Sequence, residues 1–282
     1  MSDASRDPFL IDGPTCISFS GGRTSAYLLW RVLQANGGFP PEAVVCFANT
    51  GKEEEATLSF VDECSRAWSV PIHWLEFRDN DAGFAEVIYT TASRGGEPFE
   101  ALLKKRPMLP NPTIRFCTQE LKIRPIARFL MSIGFDGTRT DLENEAWIGI
   151  RADEPYRAAK IADKGRIPLW AAGVTAQEVG RFWASQGFDL RLPNMGGKTM
   201  HGNCDLCFLK PAAQIASLIS EKPERAIWWA RMEKNAEGKA STARAARFRQ
   251  DRPSYAQMLS FSEAQKDMFD VNEHPIDCFC GD

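Results

Sequence analysis

The stretch that most constrains this chain is "CISFSGGRTS" at 16–25, which runs directly into "AYLLWRVL" at 26–33. A short apolar run, a glycine turn and an apolar pattern of helical spacing predict a strand feeding a helix through a tight loop. Glycines at such a turn let backbone N–H groups approach an anion closely, and the positive end of the helix dipole favours negative charge there. Ser20, Gly21, Gly22, Arg23, Thr24 and Ser25 therefore form a candidate phosphate loop. An ordinary tight turn uses the same residue types, so the loop alone leaves both readings open.

The rest of the chain places that loop in a sheet. Strands are expected near 15–19, 43–48, 71–77 and 145–150, and helices near 24–36, 53–68 and 119–133. Strands alternating with helices of this length imply an α/β fold, a parallel sheet with helices on both faces. Ligands of such sheets bind outside the carboxyl ends of the strands. Three segments follow predicted strands and converge on that edge: the glycine loop, Asn49-Thr50-Gly51, and the run from Gly149 through Arg151 to Asp153 and Glu154. Asp153 and Glu154 are candidate Mg²⁺ ligands, since that ion prefers carboxylate and phosphate oxygens. Residues 1–167 read as the α/β domain that carries the candidate phosphate loop, with 79–112 an insertion that could cover the site as a lid. Residues 168–282 read as a helical, cysteine-bearing extension in which Thr175 and Glu178 suggest a capping box.

A net charge of −3 over 282 residues gives no global electrostatic case for nucleic acid. No apolar run is long enough to span a bilayer, and the polar, acidic start is unlike a signal peptide, so a cytoplasmic protein is expected. Eight cysteines in that setting point to metal or redox use rather than to disulfides. Cys16, Cys46 and Cys64 fit buried positions of strands and a helix. Cys117, the C-x-x-C of Cys204 and Cys207, and the C-x-C of Cys278 and Cys280 do not. Thiolates so spaced suit an iron–sulfur cluster, with zinc as the alternative.

The loop "SGGRTS" resembles the PP-loop, Ser-Gly-Gly-x-Asp-Ser, of the adenine nucleotide alpha-hydrolase superfamily. "CFANTGKEEEATLSFV" (46–61), "RFCTQELKIRPI" (115–126) and "IGIRADEPYR" (148–157) are similar to successive motifs of its PAPS reductase-like members. The resemblance covers roughly residues 15 to 210 and departs at Thr24, where the superfamily usually has Asp. It implies a Rossmann-like sheet and ATP or PAPS as nucleotide, with Lys122 neutralising phosphate charge. It also implies a 4Fe-4S cluster on Cys117, Cys204 and Cys207; Phe116 replaces the family's fourth cysteine, so the tail is read as supplying Cys280, with Cys278 left as a reactive thiol. The implied activity is attack of an acceptor oxygen on the α-phosphate of ATP, release of pyrophosphate, and displacement by sulfur delivered through the cluster or Cys278, with a sulfur donor protein as partner. The alternatives are a thiol-dependent PAPS or APS reductase, and a nucleotide- or nucleic-acid-binding protein without turnover.

Residues 221–254 hold nine Lys/Arg against five acids, interleaved with Trp228, Trp229 and Phe248 and followed by Tyr255. Such a stretch either binds tRNA or DNA through backbone charge and base stacking, or is a solvated helix with its tryptophans packed inward.

Overall fold

The computed structural model describes residues 7–195, 198–240 and 242–269. The chain divides into two compact units, one of Met1–Arg106 with Ile114–Asp205, the other of Pro107–Thr113 with Leu206–Asp282.

The first unit is built on five strands: β1 (Thr15–Ser18), β2 (Ala43–Asn49), β3 (Ile72–Phe77), β4 (Phe84–Val87) and β5 (Trp147–Ile148), in the order β4-β3-β2-β1-β5. All neighbours pair in parallel except β4, which runs antiparallel to β3. The sheet is thus α/β and mostly parallel, as expected. Its edge strand β4 and helix α3 (Glu97–Lys104) come from the segment read as an insertion. Strand alternation sends Ile17, Val45, Phe47 and Trp74 to one face and Cys16, Cys46, Ala48 and Leu75 to the other. The first face is covered by α1 (Arg23–Asn36) and α2 (Glu55–Trp68) through Leu28, Leu29, Leu58, Phe60 and Val61. The second is covered by Ile126, Phe129 and Leu130. Each of these side chains, once buried, contributes about 1.5–3 kcal/mol relative to exposure.

Ile126, Phe129 and Leu130 belong to α4, a continuous helical run of Phe116–Thr118, a π-turn Gln119–Ile123, and Arg124–Ser132. The sequence suggests a plain helix over 119–133. The π-turn inserts one extra residue per turn between Cys117 and Pro125, and such turns occur often at functional sites. Further along, α5 (Ala176–Ala184) starts where the capping box was expected. Only half of the box forms: Thr175 Oγ1 accepts the Glu178 N–H, while the Glu178 carboxylate accepts from the Tyr27 hydroxyl. Cys16, Cys46 and Cys64 are buried as expected, and burial pushes the Cys64 thiol pKa up.

The second unit contains α6 (Ala212–Glu221), α7 (Glu224–Glu237) and α8 (Tyr255–Phe269). Its core stacks Phe208 on Phe248 and Trp229 on Tyr255, with ring centroids 5.6 and 5.3 Å apart. Trp228, Trp229, Phe248 and Tyr255 are all buried. Of the two readings of 221–254, the packed one describes these aromatics. Inside this core the Glu233 carboxylate accepts the backbone N–H groups of Phe248 and Tyr255 at 3.3 and 3.0 Å. Among the described residues, no helix is long and apolar enough to cross a membrane.

Candidate functional site

The crossover in strand order between β1 and β5 puts the loops after these two strands side by side, the place where open parallel sheets bind ligands. Gly21 sits at φ +73°, and a Cβ there would lie 2.5 Å from Thr57 Cγ2, so only glycine fits. Gly22 is different. Its backbone is extended (φ −106°), and a Cβ would meet nothing nearer than Ser20 Oγ at 3.7 Å. That open space lies at the start of α1, whose first N–H groups have no partner within the helix. Ser25 Oγ donates to Gly22 O (2.9 Å) and accepts the N–H groups of Ser20 (3.2 Å) and Gly22 (3.3 Å). The Ser20 hydroxyl also reaches it, at 3.0 Å. The two serines therefore hold the shape of the loop. Arg23 faces away from it: its guanidinium clasps Asp189 with two bonds of 2.6 Å and donates to Leu192 O, so its side chain anchors the segment after α5.

Gly149 lies against the same helix start, with a virtual Cβ 3.2 Å from Ser25 N and Cα. Two residues on, Arg151 Nη1 donates to Thr24 Oγ1 at 3.0 Å. Arg151 is also paired with Asp153 (2.9 Å) and Glu154 (3.5 Å), and Glu154 holds Arg157 at 2.6 Å. Burial disfavours the Asp153 carboxylate, but the Arg151 bond and charge and the Ala176 N–H outweigh it and keep its pKa below the ordinary value. Both expected Mg²⁺ ligands are thus engaged by guanidinium groups. Among the described residues, no group of three or more His, Cys, Asp or Glu could hold a metal ion.

After β2, the loop Asn49-Thr50-Gly51 is built for structure. Asn49 is fully buried; its amide donates to Glu76 Oε1 (2.7 Å) and Ser93 O, and its carbonyl oxygen accepts the Gly51 N–H. Glu76, also fully buried, further accepts from Ser93 and pairs with Arg78 at 2.7 Å. Gly51 takes φ +75°, and a Cβ would come within 3.0 Å of Gly96. Thr50 donates its N–H and hydroxyl to Glu53, and its Oγ1 lies 3.4 Å from Cys204 Sγ. Lys122, on the π-turn, reaches Glu53 Oε1 at 3.6 Å, and Lys52 forms a nearly buried 2.9 Å ion pair with Asp205.

The expected site residues thus separate. The glycine loop, Gly149, Arg151, Asp153 and Glu154 come together at the β1/β5 crossover. Asn49, Thr50, Gly51 and Lys122 belong to a second cluster after β2, which also holds Cys204. Cys117 lies on α4 in the same unit, whereas Cys207 falls in the second unit. Cys278 and Cys280 lie outside the described residues. Glu53 and Glu76 carry no local signal of these roles in the sequence. Glu53 reads as one of three acids opening a helix, and Glu76 as an outward polar position in a strand.

No family model matches the chain. It is 33% identical over 210 residues to the uncharacterized nin region protein ORF290 of Escherichia phage lambda, covering 71% of this chain and 67% of that protein. By that identity and coverage, the chain belongs to the family of the lambda nin region protein ORF290.

Proposed function

We propose that this is a PP-loop enzyme that binds ATP at the β1/β5 crossover and activates an acceptor by adenylation, for sulfur transfer. The observation that carries the reading is the open space over Gly22 at the start of α1, flanked by Arg151 on Thr24. Backbone N–H groups of 21–25 and the helix dipole would bind the pyrophosphate part, and Arg151, held by Asp153 and Glu154, would offer its remaining N–H donors beside them. An acceptor oxygen attacks the α-phosphorus, the bond to the bridging oxygen breaks, and pyrophosphate carries away the electron pair. A sulfide-level sulfur, a thiol or hydrosulfide supplied by the donor, then attacks the activated carbon; the carbon–oxygen bond breaks, AMP leaves with the electron pair, and the sulfur's proton goes to solvent. Such transfers rest on positioning and on stabilising developing charge, which fixed backbone donors supply without reorganising.

A Rossmann-like sheet of the adenine nucleotide alpha-hydrolase type and a cytoplasmic setting accord with this reading. An iron–sulfur cluster rests on cysteine spacing alone and Mg²⁺ on two carboxylates that already hold arginines, so no step is drawn through either. The test is to incubate the purified protein with ATP, or with PAPS and a thiol, and to identify the products. Pyrophosphate and AMP from ATP support adenylation, sulfite from PAPS supports the reductase, and binding without either product supports a non-catalytic role.

A further inference from the structure

We propose a second anion site on the sheet unit, at the carboxyl end of β3, that takes the phosphate group of a small phosphomonoester. A cavity of about 350 Å³ opens there, lined by Arg78, Lys105, Arg106 and Arg128 against two acids, Asp79 and Glu120. That volume is at the small end of those that hold small molecules. Three of the cations are matched: Arg78 by buried Glu76, Lys105 by Asp79, and Arg106 by Glu120, which Arg124 also contacts. Arg128 is not matched in this way. Its Nη1 donates to the Ala82 carbonyl at 3.1 Å, and among the described residues no carboxylate lies within ion-pair distance.

Its position is built. The guanidinium crosses directly over Gly83, where a Cβ would sit 1.4 Å from Nη1, and Gly83 itself is held at φ +72°. A side chain at 83 would exclude arginine from this place. The cavity therefore presents one uncompensated guanidinium, with spare N–H donors from Arg78 and Arg106, since a carboxylate occupies at most part of a guanidinium's five donors. Planar forked donors of this kind match phosphate oxygens. A half-open pocket of this small volume fits a compact phosphomonoester better than a nucleic-acid strand. β3 lies two strands from β1, so the site is about 10 Å along the sheet edge from the glycine loop, from the usual strand spacing. The proposal does not depend on nucleotide binding at that loop.

The experiment titrates the full chain carrying Gly22→Val with inorganic phosphate, which removes the glycine loop as a competing site. Phosphate binding is expected to persist in this background and to fall at least tenfold on adding Arg128→Gln. Gly83→Ala, which keeps the charge but displaces it, is expected to give the same loss, with circular dichroism confirming the fold. Loss of all phosphate binding with Gly22→Val, or binding unmoved by Arg128→Gln and Gly83→Ala, would overturn the site. So would a single-stranded 5′-phosphorylated oligonucleotide that binds through these arginines while inorganic phosphate does not.

Discussion

Arg151 Nη1 donates to Thr24 Oγ1 across 3.0 Å, joining the loop after β5 to the first turn of α1. Thr24 leaves this turn without a carboxylate, and the guanidinium that bonds to it is also held by Asp153 and Glu154. The remaining N–H donors of Arg151 thus lie beside the glycine loop, and the acids that balance its charge are on its own loop. Arg151→Gln should weaken ATP binding about tenfold or more, since a charge-assisted hydrogen bond is worth about 1.5–3 kcal/mol. Calorimetric titration of the folded variant checks this.

The two loop glycines should behave oppositely. Gly21→Ala forces a Cβ against Thr57 at a left-handed φ, and should cost about 1–3 kcal/mol of stability or more. Gly22→Ala, with extended backbone and open space, should change stability by less than about 1 kcal/mol. Urea unfolding of both variants measures the difference.

Glu76→Ala should be among the most damaging changes in the sheet unit, because it takes the buried acceptor from the Asn49 amide and from Ser93, while Arg78, with a side chain 36% exposed, can turn to water. Leaving buried donors without an acceptor costs about 1–3 kcal/mol, and loss of the partly exposed Arg78 pair adds about 1 kcal/mol or less. Denaturant midpoints against wild type are the readout, and Glu76→Gln should recover part of the loss by keeping the Asn49 and Ser93 contacts.

Glu233 gives the second unit a pH dependence of definite sign. Burial raises its pKa above the ordinary glutamate value of 4.5, against the two N–H bonds and the nearby Arg247 and Arg252. The folded state then holds the proton more tightly than the unfolded chain. The stability this contributes is fully present below about 4.5 and is lost as pH rises through the raised value. Asp251, lowered to about 2 chiefly by the Arg249 bond, has the opposite sign and acts only as pH falls towards 2. Unfolding followed across pH 4 to 8 should show the Glu233 decline, and Glu233→Ala should remove it while lowering stability at every pH.

The cysteine spacing carries a prediction of its own. Protein prepared without air should contain iron and sulfide, and Cys117→Ser and Cys204→Ser should each lower the iron content. Zinc without iron would assign these thiols to a structural metal instead.

What the sequence discloses here depends on how local the determinant is. β1, β2, β3, α1 and α2 follow from apolar runs, turns and helical spacing that lie within a few residues of each other. β4 hides because Phe84–Val87 is a short edge strand, whose pairing with β3 is set by the turn and by α4 packing rather than by a strong pattern. The π-turn at 119–123 leaves the helical spacing nearly intact and so reads as plain helix. Gly21, Gly22 and Gly149 are legible as close-approach positions at strand ends, since a turn there and the start of a helix lie within a few residues of each other. Arg23 was misleading for the converse reason: its partner, Asp189, is distant in sequence, so nothing local shows that the side chain is already engaged. Arg128 over Gly83 has the same character, since neither residue marks the other until the chain is folded.

The central claim is that the space over Gly22 holds the phosphates of ATP, and it is tested most directly by titrating wild type and Gly22→Val with ATP in a calorimeter. The geometry predicts that the wild type binds and that the folded variant loses about a hundredfold in affinity, the value of two or so charge-assisted hydrogen bonds. Equal affinity in a Gly22→Val protein with native circular dichroism would contradict it.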